Sequence, residues 1–111
     1  MSDAGQHRIL YAEDDPAHAE LLRRALRKIP LPIALDHVSD GEQALDYLYR
    51  RGDYEHLTST PLPNLILLDR NMPNIDGVRV CRFIKLDQLL NHIPVVILSA
   101  TYTDFVEQQD S

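Results

Sequence analysis

The apolar positions of this chain fall into short runs that alternate with amphipathic stretches. Four runs are mostly apolar, and each is bounded by polar or turn-forming residues. Short continuous apolar runs of this kind are typical of strands that are buried on both faces of a sheet. We therefore predict four strands, at residues 9–12, 33–38, 65–69 and 94–100. The second run is less hydrophobic than the others, which places it nearer an edge of the sheet.

The first two amphipathic stretches carry start and stop signals for helices. Asp15 and Pro16 combine a capping side chain with a first-turn proline, and apolar residues then recur at helical spacing. Ser39 and Glu42 have the spacing of a capping box, which predicts the start of a second helix. Gly52 is the predicted end of that helix.

The rest of the chain adds a long connection and two further helical stretches. Residues 53–63 are polar, contain two prolines, and form a connection longer than most loops in compact domains. Val80, Phe83 and Ile84 are expected to lie on the buried face of a third helix. Residues 103–111 resemble the first turns of another helix. Strands that alternate with helices predict an α/β fold, in which helices cover both faces of a parallel sheet.

Composition narrows the class of protein. The 111 residues suit one domain, 1–111, with 44 % apolar and 25 % charged residues, and no stretch is long and apolar enough to suggest a membrane span. The net charge of −6 argues against a basic surface for nucleic acid. No signal peptide is recognisable at the start, so we expect a cytoplasmic protein. Cys81 stands alone and is expected to be a small buried side chain, and the histidines lack zinc-type spacing.

Polar residues follow the apolar runs at equivalent ends. Glu13 and Asp14 follow the first run, Asp69 ends the third, and Ser99 lies near the end of the fourth. The carboxyl ends of parallel strands meet at one edge, so three carboxylates would share a small region if the first and third strands are neighbours. Such a cluster implies shifted protonation or a bound cation, and oxygen ligands favour Mg²⁺. One carboxylate is then available as a nucleophile toward a phosphoryl group, and Ser99 is placed to hydrogen-bond the transferred oxygens.

Three motifs together resemble the receiver domain of bacterial-type two-component response regulators. They are the segments YAEDDP at residues 11–16, ILLDRNMPNIDG at 66–77 and PVVILSA at 94–100. The resemblance runs from about Arg8 to the end of the chain. It implies a flavodoxin-like sheet of order 2-1-3-4-5, an order for which the chemotaxis receiver is a known example. The long connection with Tyr54, Pro61 and Pro63 is similar to single-domain regulators that serve bacterial phytochrome kinases.

The resemblance assigns roles to individual residues. Asp69 would be the phosphoacceptor, and Glu13 and Asp14 would be the acidic pair that binds Mg²⁺ with it. Asn71 would be a further metal ligand through its backbone carbonyl, and Ser99 would be the hydroxyl residue that moves toward the phosphoryl group. The implied partner is a histidine kinase, of the bacterial phytochrome type if the subfamily similarity holds.

The sequence departs from the family pattern after the fourth run. The fifth strand, with its lysine and aromatic switch residue, and the fifth helix have no counterpart in these residues. We therefore expect the C-terminal part to be incomplete, with the strand at residues 94–100 left as an exposed apolar edge. The segment after Ala100 is expected to be rearranged, and a second copy of the chain is expected to cover the edge, giving a homodimer or a strand-exchanged oligomer.

Two other functions fit parts of the pattern. A degenerate receiver that acts only as an interaction module would explain the missing lysine, although Glu13, Asp14, Asp69 and Ser99 are all in place. A phosphatase of the haloacid dehalogenase type would use the same sheet and a nucleophilic aspartate. That family requires a second Asp two residues after the nucleophile, and this chain has Asn71 there. We therefore predict a signalling domain and not an enzyme that acts on an outside metabolite.

Overall fold

Four parallel strands form one sheet in the computed structural model, which describes residues 7–98. The strands are β1 (His7–Ala12), β2 (Ile33–Val38), β3 (Leu65–Asp69) and β4 (Val95–Leu98), and their order is β2-β1-β3-β4. This order agrees with the predicted flavodoxin-like α/β fold, and β2 lies at an edge as its lower hydrophobicity predicts. Ser99, Ala100 and the predicted helical stretch at 103–111 lie outside the described residues.

The connections between the strands are helical. The helices are α1 (Pro16–Arg27), α2 (Gly41–Tyr49), a 3₁₀-helix (Gly52–Leu57) and α3 (Gly77–Leu86). The chain moves in one direction across the sheet from β1 to β2 and in the other from β2 through β3 to β4. Because crossovers between parallel strands are right-handed, α1 lies on one face and α2 and α3 lie on the other. None of the helices within residues 7–98 is long and apolar enough to cross a bilayer.

The face covered by α2 and α3 holds the main hydrophobic core. Leu10, Ile66 and Leu68 of the sheet are fully buried there, against Val80 and Ile84 of α3. Fully burying an aliphatic side chain stabilises the fold by about 1.5–3 kcal/mol. This layer therefore fixes the positions of β1 and β3, the two strands whose ends carry the carboxylates.

On the opposite face, β1 is the best-covered strand among the residues that the structure describes. Ile9 and Tyr11 are buried, whereas Val96 is 45 % exposed and Leu98 is 38 % exposed. Burial on both faces was therefore a wrong prediction for the described part of β4. Among the helices of residues 7–98, α1 is the one on this face, and it packs beside β2 and not over β4.

The structure confirms the predicted start of α1 and places the start of α2 one residue later than predicted. Asp15 caps α1 by accepting a hydrogen bond from the Ala17 N–H, with Pro16 in the first turn. The predicted capping box at Ser39 and Glu42 is wrong by one residue. Asp40 is the cap of α2 and accepts from the Gln43 N–H, while the Gln43 side chain accepts from the Ser39 N–H. Side chains of Ser, Asp and Gln satisfy these caps almost equally well, so the sequence leaves the register open.

Two further predictions about the helices need correction. The second helix ends at Tyr49 and not at Gly52, because Arg50 adopts a left-handed conformation with φ of 57°. Gly52 instead starts the 3₁₀-helix inside the connection predicted to be irregular. Phe83 is 44 % exposed and does not join the core of α3. Phe83 and Ile84 lie about 100° apart around the helix on opposite flanks of Val80, and only the Ile84 flank is covered.

Candidate functional site

Three carboxylates meet at the carboxyl ends of β1 and β3. Glu13 and Asp14 follow β1 directly, and Asp69 is the last residue of β3. The two strands are neighbours in register, with Ala12 opposite Leu68. One carboxylate oxygen from each of the three acidic residues lies within 4.8 Å of the other two. The structure thus brings together the acidic residues that the sequence analysis singled out.

The three carboxylates differ in their exposure to solvent. Glu13 is only 5 % exposed, whereas Asp69 is half-buried and Asp14 is exposed. Burial raises the pKa of the Glu13 carboxyl, and the neighbouring Asp69 raises it further, against the lowering effect of the hydrogen bond from the Asp15 N–H. A buried carboxyl that resists ionisation beside another carboxyl is the electrostatic signature of a site that gains stability from a cation.

Glu13 is held by hydrogen-bond donors on two sides. The Tyr11 hydroxyl donates to Oε1 over 3.1 Å, and the Asp15 N–H donates to Oε2 over 3.2 Å. The His37 Nε2–H donates to the Glu13 main-chain oxygen over 2.8 Å. Burial, followed by the negative charge of Glu13, raises the pKa of Tyr11 well above its ordinary value, so this hydroxyl keeps its proton. His18 also lies near, with Nδ1 3.5 Å from Oε1 of Glu13.

The sequence pattern does not predict these supporting residues. It places Tyr11 in an apolar strand, and it indicates no role in the site for His18 or His37. A usable signal was present for Tyr11, because residues two apart on a strand point to the same face and Tyr11 is two residues before Glu13. No comparable signal exists for His37, since its contact depends on how β2 pairs with β1.

The loop after β3 is packed tightly against Asp69. The Asn71 N–H donates to Oδ1 of Asp69 over 3.2 Å, and the Gly77 N–H donates to the Arg70 oxygen over 3.0 Å. A Cβ atom on Gly77 would lie 2.5 Å from the main-chain oxygen of Asp69, closer than van der Waals contact allows. Glycine at this position therefore lets α3 start directly beneath the carboxylate. The Asn71 side chain is exposed.

The predicted hydroxyl residue cannot be placed by the same geometry. Ser99 lies outside the described residues, so its predicted hydrogen bond remains a prediction. Its neighbour Leu98 is paired with Asp69 in the register of β3 and β4, and the Leu98 oxygen accepts a hydrogen bond from the Arg70 N–H over 2.9 Å. The sequence therefore continues from a point beside Asp69.

The donor set fits a hard divalent cation. Carboxylate oxygens are the ligands that Mg²⁺ takes in proteins, one or two at a time, with water and phosphate oxygens completing its octahedron. Two ionisable carboxylates on an accessible surface, beside a third that is buried, leave room for those further ligands. Cys81, by contrast, is half-buried against the core and contributes nothing to the site.

Comparison with known proteins places this arrangement in a family. Residues 9–109 match the model of the response regulator receiver domain. Response regulator Rcp1 of Synechocystis is 38 % identical over 96 residues, which are 86 % of this chain and 63 % of Rcp1. The probable methanogenesis regulatory protein FilR2 of Methanothrix harundinacea is 37 % identical over 86 % of this chain and 59 % of its own length. The chain thus spans about three fifths of these relatives.

Solved structures give the same result. The phosphorylated cyanobacterial phytochrome response regulator RcpA superposes with a TM-score of 0.77 at 36 % identity, covering 95 % of this chain and 74 % of that one. The bacteriophytochrome response regulator AtBRR gives a TM-score of 0.79 at 36 % identity, covering 95 % and 76 %. A Mn²⁺-bound form of Rcp1 gives 0.77 at 36 % identity, covering 94 % and 74 %. The chain belongs to the response regulator receiver family, and phytochrome response regulators are among its relatives.

Proposed function

We propose that this chain is a receiver domain that takes a phosphoryl group from a histidine kinase onto Asp69, with Mg²⁺ held by Glu13, Asp14 and Asp69. The observation that carries the proposal is the convergence of these carboxylates within 4.8 Å at the carboxyl ends of adjacent strands. That position is where functional groups of open parallel sheets gather. The resulting change in the loops around Asp69 would then be recognised by a partner protein.

The nucleophile is a carboxylate oxygen of Asp69. It attacks the phosphorus atom of the donor, the bond from phosphorus to the donor atom breaks, and an aspartyl phosphate forms. The Asn71 N–H fixes Oδ1 of Asp69, and tight packing against Gly77 holds the main chain. A bound Mg²⁺ would neutralise charge on the phosphoryl oxygens. Asp69 is preferred over Glu13 because Glu13 is buried, and over Asp14 because the family pattern assigns Asp14 to the metal.

Two residues complete the proposed site. Asn71 is proposed to contribute its main-chain oxygen to the metal, and Ser99 is proposed to hydrogen-bond the phosphoryl group. Leu98, the residue before Ser99 in the sequence, pairs with Asp69 in the sheet. This pairing supports the role proposed for Ser99. Both assignments follow the family pattern at matching positions of this chain.

The proposed partner is a histidine kinase of the phytochrome type. The phytochrome response regulator RcpA and the bacteriophytochrome response regulator AtBRR, each 36 % identical to this chain, support that kind of partner. A cytoplasmic location follows from such a partner, and the acidic composition supports no direct contact with nucleic acid. The domain itself is proposed to be a signalling module and not an enzyme for an outside metabolite, because Asn71 stands where the phosphatase family requires a second Asp.

Intact-mass measurement tests the proposal. The complete protein is incubated with Mg²⁺ and a small phosphodonor, and the expected result is the gain of one phosphoryl group per chain. Asp69→Asn should abolish the gain. Asp76→Asn is the matched control, because Asp76 is an exposed carboxylate in the same loop whose capping role asparagine can fill.

Each alternative function gives a different result. Uptake that persists in Asp69→Asn would contradict the assignment of the phosphoacceptor. Absence of uptake in the unaltered protein would favour a degenerate receiver that acts only through its surface. Rapid turnover of the phosphodonor without accumulation on the protein would favour a phosphatase.

A further inference from the structure

We infer that Tyr11 is a positioning residue for metal binding: its hydroxyl fixes the Glu13 carboxylate in the orientation that a divalent cation needs. The inference rests on the proposed function, because it assumes that Glu13 is a metal ligand. It adds a residue from the interior of β1 to a site that is otherwise built from strand ends and loops.

The geometry around Glu13 assigns Tyr11 this role. Tyr11 donates to Oε1 over 3.1 Å while the Asp15 N–H donates to Oε2 over 3.2 Å, so each oxygen has one donor from the protein. Two donors from opposite sides define the plane of the carboxylate. One lone pair of each oxygen is used in this way, and one Glu13 oxygen also lies within 4.8 Å of an oxygen of Asp14 and of Asp69.

Burial makes the Tyr11 contact hard to replace. Tyr11 is 4 % exposed and Glu13 is 5 % exposed, so water has little access to the atoms that form the hydrogen bond. A second nitrogen near Oε1, Nδ1 of His18, lies 3.5 Å away and its side chain is 54 % exposed. Loss of the Tyr11 hydroxyl would therefore leave the buried oxygen without a close donor, and the carboxylate would be free to rotate.

The main chain of Glu13 is fixed independently. The His37 Nε2–H donates to the Glu13 oxygen over 2.8 Å, and the Glu13 N–H donates to the Val38 oxygen over 3.0 Å. Tyr11 itself pairs with His37 in the register of β1 and β2. Because the end of β2 already holds the backbone, removal of the Tyr11 hydroxyl should change the side-chain orientation of Glu13 and leave the loop in place.

Donors that orient a metal ligand have a measurable effect on affinity. Loss of such an outer contact typically weakens metal binding about 10–100-fold. Because the Asp15 N–H still holds Oε2 in the variant, we expect Tyr11→Phe to weaken divalent binding about 10-fold. A higher metal concentration should restore phosphoryl uptake in the variant, because the Tyr11 hydroxyl donates to Glu13 and, among the described residues, forms no hydrogen bond with Asp69.

The test is a titration of the complete protein with Mn²⁺, followed by electron paramagnetic resonance of the free ion. Tyr11→Phe is compared with Tyr47→Phe, a matched control in which another buried tyrosine loses a hydrogen bond to a carboxylate, that of Asp36, away from the site. Urea unfolding of each variant is recorded beside the titration.

The outcomes separate the two proposals. Weaker Mn²⁺ binding in Tyr11→Phe alone, with phosphoryl uptake restored at a higher metal concentration, supports the inference. Equal affinities for the unaltered protein and Tyr11→Phe overturn it and leave the proposed function standing. Equal weakening in Tyr11→Phe and Tyr47→Phe also overturns it, because the effect would then follow stability. Absence of Mn²⁺ binding in the unaltered protein overturns both proposals.

Discussion

Tyr47, Asp36 and Arg8 form a polar cluster that connects α2 to the sheet. The Tyr47 hydroxyl and the Arg8 guanidinium both donate to Oδ2 of Asp36, the latter over 2.9 Å. Tyr47 is 2 % exposed, and its burial, with the hydrogen bond to Asp36, raises its pKa to about 12. The hydrogen bond to Asp36 is the largest cause that raises the pKa of Arg8. The protonated tyrosine is therefore the form that the folded protein prefers.

This preference predicts how stability depends on pH. The pKa of Tyr47 in the folded state, about 12, lies above the ordinary value of 10, so its stabilising contribution is complete below pH 10 and is lost as pH rises through 12. Tyr47→Phe should lower the free energy of unfolding by about 1–2 kcal/mol at pH 8, since Asp36 is partly exposed and keeps Arg8.

Denaturant unfolding of both proteins between pH 8 and pH 12 checks the prediction. The difference in unfolding free energy should shrink above pH 10, because only the unaltered protein must keep a proton on residue 47. Tyr11 is present in both proteins, so its own titration cancels in the comparison. A difference that stays constant across this range would contradict the account of Tyr47.

The site residues that could be predicted are those whose position in the sequence pattern alone marks them. Glu13, Asp14 and Asp69 could be found because each interrupts an apolar run at the end of a strand. The role of His37 could not, since its contact depends on how β2 pairs with β1. For Tyr11 the spacing indicates a face shared with Glu13, but the hydrogen bond itself depends on the rotamers. From the sequence pattern alone, a tyrosine in an apolar strand is predicted to be a core residue.

At the scale of elements, the end of α2 is the feature with the clearest consequence. Arg50 has φ of 57° and ψ of 48°, in the left-handed region that suits glycine. Its guanidinium donates to the main-chain oxygens of Tyr47 over 2.8 Å, of Thr60 over 2.9 Å and of Pro61 over 3.2 Å, and lies 5.1 Å from the centre of the Tyr47 ring. One side chain thus ties the helix end to the far side of the long connection.

Two substitutions at this position separate the backbone effect from the contacts. Arg50→Ala loses the hydrogen bonds and keeps the cost of a left-handed residue, whereas Arg50→Gly loses the same bonds and removes that cost. We expect both variants to be less stable than the unaltered protein, with the glycine variant more stable than the alanine variant by about 1 kcal/mol.

Hydrogen exchange at residues 58–62, together with urea unfolding, measures both effects. Exchange should become faster in both variants, because both lose the bonds to the oxygens of Thr60 and Pro61. Unchanged exchange would mean that Arg50 does not hold the connection. An alanine variant at least as stable as the glycine variant would contradict the backbone argument.

The existence of the elements was easier to predict than their ends. The four apolar runs correctly predicted four strands, because short runs that consist mainly of Val, Ile and Leu are typical of buried strands. The end of α2 was predicted at Gly52, since glycine is the usual left-handed residue after a helix. Arg50 takes that conformation instead because its long side chain reaches oxygens in a segment ten and eleven residues away, and local sequence does not encode that contact.

At the scale of the whole molecule, the strand order followed from the family resemblance, whereas the alternation of strands and helices predicted the α/β class. The burial of the two faces of the sheet could not be predicted in this way, because it depends on which helices lie over each face. Within residues 7–98 no strand pairs with the outer edge of β4, whose Val96 and Leu98 are partly exposed. Self-association through this edge therefore stays a prediction.

Light scattering over a dilution series examines this edge. A dimer that dissociates on dilution is expected, with Leu98→Lys shifting the series toward monomer because a charge on an exposed edge strand opposes strand pairing. Arg79→Ala, an exposed change on α3, serves as the control. A monomer at every concentration, with or without the lysine, would refute the prediction.

The central claim is that Asp69 is the residue that carries the phosphoryl group and that it does so with a divalent cation at the three carboxylates. Borohydride reduces an aspartyl phosphate to homoserine, so the modified position can be read by tandem mass spectrometry after incubation with a phosphodonor. The account predicts homoserine at position 69 alone, present with Mg²⁺ and absent with a chelator. Homoserine at another aspartate, or equal conversion without metal, would contradict it.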